Sequence, residues 1–171
     1  MDECASTQRL LDGEEGEGAT VATDHQTHGR GRLGRTWETP PARALLFSLL
    51  LHPTPPMALW PELSLVAGGA VATALREETG VLAEVSHPND VLVEHRKVAG
   101  ILAEASTGRV VLGIGLNVNQ TAGELPPETP KPPTSLRVET GREWERAPLL
   151  AAILLELERA YDGWQQLHTN G

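Results

Sequence analysis

KVAGILAEASTGRVVLGIGLN, residues 97–117, decides the fold class. Its two apolar runs, 98–103 and 110–116, flank Thr107-Gly108-Arg109, and a polar turn with a central glycine suits antiparallel pairing of the strands on either side. Upstream, 81–85 and 91–93 read as shorter strands separated by HPND at 87–90, with the charged turn EHRK at 94–97 leading into the first long run. ALLFSLLL at 44–51, bounded by Pro40, Pro41 and Pro53, has the continuous apolar character of an interior strand, with Phe47 in the core. Residues 19–23 form a further short strand, preceded by an exposed connection containing Gly13, Gly16 and Gly18.

Two helices complete the reading. Residues 59–78 place Leu63, Val66, Ala70, Val71, Ala74 and Leu75 near a helical period, with Pro61 in the first turn and Gly80 at the exit. Gly68 and Gly69 serve either close contact with a sheet or simple packing. A final helix starts near Pro148 and carries Leu150, Ile153, Leu154, Leu157, Tyr161 and Trp164 on its apolar stripe. Ser6 or Thr7 caps a short helix running towards Asp12, and residues 121–135, with five prolines, form a loop. The expected class is α+β, a mixed, mainly antiparallel sheet with packed helices, in one domain spanning residues 1–171.

Composition narrows the function. The 14 Lys+Arg against 23 Asp+Glu give a net charge of -9, which argues against neutralisation of a nucleic-acid backbone. No helix-turn-helix with a basic face is present, so no nucleic-acid partner is expected. Cys4 is the one cysteine, leaving no internal disulfide or cysteine-rich metal site. MDECASTQ lacks the features of a signal peptide, and no run approaches the about 18 apolar residues of a membrane helix. A cytoplasmic protein with no membrane partner is expected.

Against that acidic background, GRGRLGRTW at 29–37 stands out. Arg30, Arg32 and Arg35 carry forked donors suited to carboxylate or phosphate, and the glycines let backbone approach a ligand; a solvated turn has the same composition. No Lys-Ser or Lys-Thr of a phosphate-binding P-loop follows. Lys97 is either a point charge for an anion or a solvated hairpin lysine. Asn89 and Asp90 are either turn residues or groups orienting a magnesium-bound phosphate. Asn117 and Asn119 either offer amides to a polar ligand at a strand exit or belong to a glycine-adapted strand end. His25 and His28 have no accompanying metal-ligand pattern.

Five segments in order resemble the catalytic domain of biotin protein ligases: STQ at 6–8, QTHGRGRLGRTW at 26–37, HPNDVLV at 87–93, KVAGILAE at 97–104 and GIGLNVN at 113–119. The likeness spans most of residues 5–163. It implies a class II synthetase-like fold and two half-reactions: biotin and ATP give biotinyl-AMP and pyrophosphate, then a lysine of a biotin carboxyl carrier domain displaces AMP. It implies biotin contacts at Ser6, Thr7, Gln26, Gly29, Arg30, Arg32, Lys97, Gly100 and Gly115. Nucleotide contacts would fall to Arg30, Arg32, Arg35, Trp37, Asn89, Asp90, Lys97 and Asn117. Arg32 and Lys97 become the catalytic pair, Asp90 the magnesium ligand, and Glu104 a packing or supporting residue. A homodimer is compatible with the resemblance. So, with less sequence support, are a lipoate or octanoate transferase and a non-catalytic biotin-binding or carrier-interacting paralogue. The chain departs from the family pattern at Ser86-His87, where a lysine and a tryptophan usually precede Pro-Asn-Asp. Leu33 interrupts the arginine-rich loop, and Gln8 replaces an asparagine. The length implies neither a DNA-binding domain nor a complete C-terminal small barrel domain.

Overall fold

ALLFSLLL is buried along its whole length in the computed structural model, which describes residues 1–127 and 130–169. The reason is its place in the sheet. The strands are β1 (Glu3–Cys4), β2 (Thr20–Thr23), β3 (His25–Gln26), β4 (Ala44–Leu51), β5 (Ala83–Ser86), β6 (Asp90–Val93), β7 (Arg96–Ser106) and β8 (Arg109–Asn117). Six of them form one sheet in the order β2-β4-β8-β7-β6-β5, antiparallel throughout, while β1 and β3 make a small parallel pair. The expected hairpin is present and longer than its apolar runs: pairing continues to Ser106 and Arg109, and Gly108 takes the left-handed conformation between them, at φ 75°.

The helices are α1 (Leu63–Thr79), α2 (Leu136–Thr140) and α3 (Arg146–Thr169). Pro61 lies not in the first turn of α1 but in a preceding 3-10 segment, Met57–Glu62. Gly80 ends α1 in the left-handed conformation, and its amide donates to the Arg76 carbonyl. α1 and α3 pack together on one face of the sheet and share a core with Leu45, Phe47, Leu49 and Leu51 of β4. On α3 the buried stripe is Leu149, Ile153, Leu157, Tyr161 and Trp164; Leu150 and Leu154 flank it, half-buried. Burial, followed by the hydrogen bond to Glu17, raises the Tyr161 phenol well above its ordinary range. The opposite face of β4 carries Ser48 and Leu50; Leu50 packs against Leu11 and Val111.

Two expectations change. The continuous helical stretch Met57–Thr79 is, by length and composition, long and apolar enough to cross a membrane, where no such run was expected, yet half of its most apolar part is buried inside the protein. Its apolar surface follows from packing between the sheet and α3. The helix expected from Ser6 towards Asp12 is a single 3-10 turn, Thr7–Arg9, and Ser6 makes no capping hydrogen bond. The Thr7 hydroxyl lies 2.7 Å from Ser48 and 3.2 Å from the Gln26 side-chain oxygen, so its bonding holds the turn onto the sheet.

Candidate functional site

The sheet face opposite α1 and α3 floors a cleft of about 870 Å³. Register explains the floor: Gly100 of β7 pairs with Gly115 of β8, and Gly113 pairs with Ser48 of β4. A Cβ on Gly115 would lie 2.6 Å from the Trp37 ring, and one on Gly100 2.9 Å from the same ring. The indole can rest there only over bare backbone. Its position also places the Lys97 ammonium 5.3 Å from the ring centroid, in cation–π range.

One end of the cleft is a sheltered polar pocket. The Gln26 side-chain oxygen accepts from the Thr7 amide at 2.8 Å, and the Ser48 hydroxyl donates to Gln8 at 2.8 Å. Gln8 in turn donates to the Val111 carbonyl at 3.1 Å and to Glu104 at 3.0 Å. Within this otherwise bonded group the buried Ser6 Oγ has no hydrogen-bond partner among the described residues, nor does Trp37 Nε1 beside the floor. Buried polar atoms left open at a cleft wall are positions for ligand donors and acceptors.

Cations gather at the mouth. The Arg/Gly segment closes on itself: Arg30 bridges to Thr36, the Gly31 amide donates to Arg35 at 2.8 Å, and the Trp37 amide donates to Gly29 at 3.0 Å. At its tip Leu33 adopts φ 59° and is 87% exposed. Arg30 and Glu104 form a two-point ion pair, at 2.8 and 2.9 Å, which ties this loop to β7. Arg32 donates to Asn89 at 3.4 Å, and Asn89 is itself anchored by donating to the Ile101 carbonyl at 2.8 Å. Arg35 also lines the cleft.

Lys97 and Lys131 converge on Asp90, each ammonium 2.8 Å from a different carboxylate oxygen. Lys131 also donates to Ser86 at 2.9 Å. Burial alone raises the Asp90 pKa, but the two lysine hydrogen bonds and charges outweigh it and hold the carboxyl below its ordinary range.

Ser6, Thr7, Gln26, Arg30, Arg32, Arg35, Trp37, Asn89, Asp90, Lys97, Gly100, Gly115 and Asn117 all line this one cleft. Gly29 does not. A Cβ there would lie 2.1 Å from the Trp37 carbonyl oxygen, so its smallness lets the loop close on itself. Asn117 reaches the lining with its amide committed, donating to Thr134 at 3.0 Å and accepting from Gln120 at 2.8 Å. Asp90 does not fit the expected metal role, because both its oxygens face ammonium groups. Among the described residues no group of three His, Cys, Asp or Glu could hold a metal ion.

Two site residues escaped the sequence reading. Ser48 is the single polar residue in β4, and a hydroxyl in so apolar a strand is a signal for a buried partner. Lys131 sits in the proline-rich segment, where no periodicity points to it; its signal is rarity, since Lys97 and Lys131 are the chain's only lysines.

The comparisons agree with this architecture. The family model described as Biotin/lipoate A/B protein ligase family matches residues 4–120. The bifunctional ligase/repressor BirA of Bacillus subtilis is 36% identical over 169 residues, covering 94% of this chain and 52% of the relative. The biotin--[acetyl-CoA-carboxylase] ligase of Mycobacterium tuberculosis is 35% identical over 165 residues, covering 92% of this chain and 59% of the relative. The chain thus spans little more than half the length of these curated relatives. A solved structure of the biotin protein ligase from Aquifex aeolicus in complex with biotin and ATP superposes with a TM-score of 0.88 at 36% identity, covering 97% of this chain and 70% of that one. With the family model matching well over half of the residues, this chain belongs to the biotin/lipoate A/B protein ligase family.

Proposed function

We propose that this chain activates biotin with ATP and transfers it to a lysine of a biotin carboxyl carrier domain. The observation that carries the reading is one cleft joining a sheltered polar pocket at Ser6, Thr7 and Gln26 to a cationic mouth at Arg32, Arg35, Lys97 and Lys131. A small polar ring system with an acidic tail suits the first part, and a polyphosphate the second. The similarity to ligases, one of them solved with biotin and ATP, supports the same pairing.

The chemistry explains why both parts are needed. Direct amide formation on a carboxylate would expel oxide, a very poor leaving group. In the proposed first step a carboxylate oxygen of biotin bonds to the α-phosphorus of ATP as the bond to pyrophosphate breaks. In the second, the carrier lysine's neutral amine bonds to the activated carbonyl carbon, the acyl–phosphate bond breaks, AMP leaves and the amine's proton is released. Lys97, between the Trp37 floor and Asp90, is placed to stabilise negative charge on the reacting carboxylate and phosphate. Arg32, whose guanidinium makes a long bond to Asn89, is placed to close over the adenylate. Magnesium enters this scheme with the phosphates of ATP, as part of the substrate.

The test is a two-stage incubation. Biotin and magnesium-ATP are expected to give biotinyl-AMP, and a carrier domain added afterwards gains one biotinyl group at a lysine. Saturable biotin binding without biotinyl-AMP would instead favour a non-catalytic paralogue. Turnover of lipoate or octanoate in place of biotin would favour a related transferase.

A further inference from the structure

We infer that Lys131 is a second phosphate-binding residue of the cleft, taking the outer part of a nucleoside triphosphate's polyphosphate beside Lys97. The inference rests on the ATP-dependent reading above. Of the chain's 14 Lys+Arg only two are lysines, and although they lie far apart in sequence, both ammonium groups meet at Asp90. An ammonium is a compact charge on a flexible stem, so it can follow a phosphate oxygen during reaction.

The backbone explains how Lys131 arrives there. The Lys97 amide donates to the Pro132 carbonyl at 2.7 Å, and the Thr134 amide donates to the Lys97 carbonyl at 2.8 Å, laying the proline-rich segment along the start of β7. Asn117 bonds the Thr134 carbonyl at 3.0 Å, and Ser135 bonds the Gln120 carbonyl at 2.7 Å. These contacts tether the residues that follow Lys131 and so fix where its side chain enters the cleft. Its ammonium lines the cleft with its side chain 33% exposed, reachable by a ligand entering from solvent.

Position separates the two lysines. Lys97 lies over the Trp37 ring beside Gly100, at the floor, whereas Lys131 lies against Ser86 at the end of β5. A chain of phosphates leaving the floor towards solvent meets Lys97 first and Lys131 next. Asp90 is the positioning residue: its two carboxylate oxygens, each 2.8 Å from one ammonium, hold both groups at the cleft.

The experiment has a kinetic arm and a labelling arm. Lys131→Ala is expected to raise KM for ATP by about tenfold or more while leaving KM for biotin within about twofold, and Lys131→Arg to recover most of that loss. An unchanged KM for ATP in Lys131→Ala would overturn the inference. With only two lysines, acetylation by an amine reagent and peptide mapping read each directly: ATP, but not biotin alone, should slow acetylation of Lys131 in the wild-type protein. If that protein releases pyrophosphate with biotin but ATP leaves Lys131 unprotected, the inference falls and the ligase reading stands. If it releases none, the ligase reading falls, and the labelling arm still decides: protection by ATP upholds phosphate binding at Lys131, and no protection refutes it.

Discussion

The floor of the cleft is backbone, where Gly100, Gly113 and Gly115 of β7 and β8 leave no space for a methyl group, while its mouth is side chain, where arginines and lysines reach in from three separate segments. The floor belongs to the fully paired centre of the sheet, so an added atom there must displace the indole or the Gln8 amide. The mouth is held by part-exposed ion pairs that can exchange partners: Arg30 with Glu104, and Lys97 and Lys131 with Asp90. Changes to the floor should therefore act sterically and be insensitive to salt. Changes to the mouth should be graded, electrostatic and salt-dependent.

The largest effect is expected at the junction of the two regions. Lys97→Ala should cost about 2 to 5 kcal/mol in biotinyl-AMP formation if its charge meets the substrates desolvated, measured as the fall in kcat/KM. On the floor, Gly115→Ala should weaken biotin binding or lower stability by about 1–3 kcal/mol, because the new Cβ meets the Trp37 ring at 2.6 Å. Calorimetric binding and thermal unfolding together check it, and equal values at low and high salt would mark it as steric.

Asp90→Asn comes next. It leaves two ammonium groups facing a neutral amide and should destabilise the fold by about 1–2 kcal/mol, a figure reduced for the partial exposure of both lysines. Because the carboxyl's pKa is depressed from 3.8 in the folded protein, its contribution is present above that ordinary value and is lost as pH falls towards and through the folded one. The wild type should lose stability over that acid interval, and the Asp90→Asn variant should show a flatter profile there in denaturant titrations. The smallest change is expected from Glu104→Gln: the Arg30 pair is 42% and 35% exposed on its two sides, so stability should move by only about 0–1 kcal/mol. Trypsin should nevertheless cut at Arg30, Arg32 or Arg35 faster, since the loop loses its tie to β7.

The same contrast governs what could be read from sequence. The floor was legible because strand pairing repeats locally: the runs around Thr107-Gly108-Arg109 fold back on each other, and the apolar periodicity of α1 and α3 tells which way they face. On α3 the reading slipped by one position, from Leu149 to Leu150, since both neighbours are leucine and burial alone separates them. At the mouth the arginine- and glycine-rich composition pointed to Arg30, Arg32 and Arg35, and the ordered motifs to Arg32, Asn89, Asp90 and Lys97. That Asp90 would face two ammonium groups depends on Lys131, brought in by proline carbonyls that carry no side-chain pattern. Ser86 was noticed as a missing lysine; in three dimensions its hydroxyl receives the lysine of another segment.

The central claim is that one cleft holds biotin and ATP together for reaction, and the most direct measurement is pyrophosphate release from magnesium-ATP by the purified chain with and without biotin. Release that requires biotin, saturates with it and falls sharply in Lys97→Ala is the predicted result. Saturable biotin binding with no biotin-dependent pyrophosphate would contradict it.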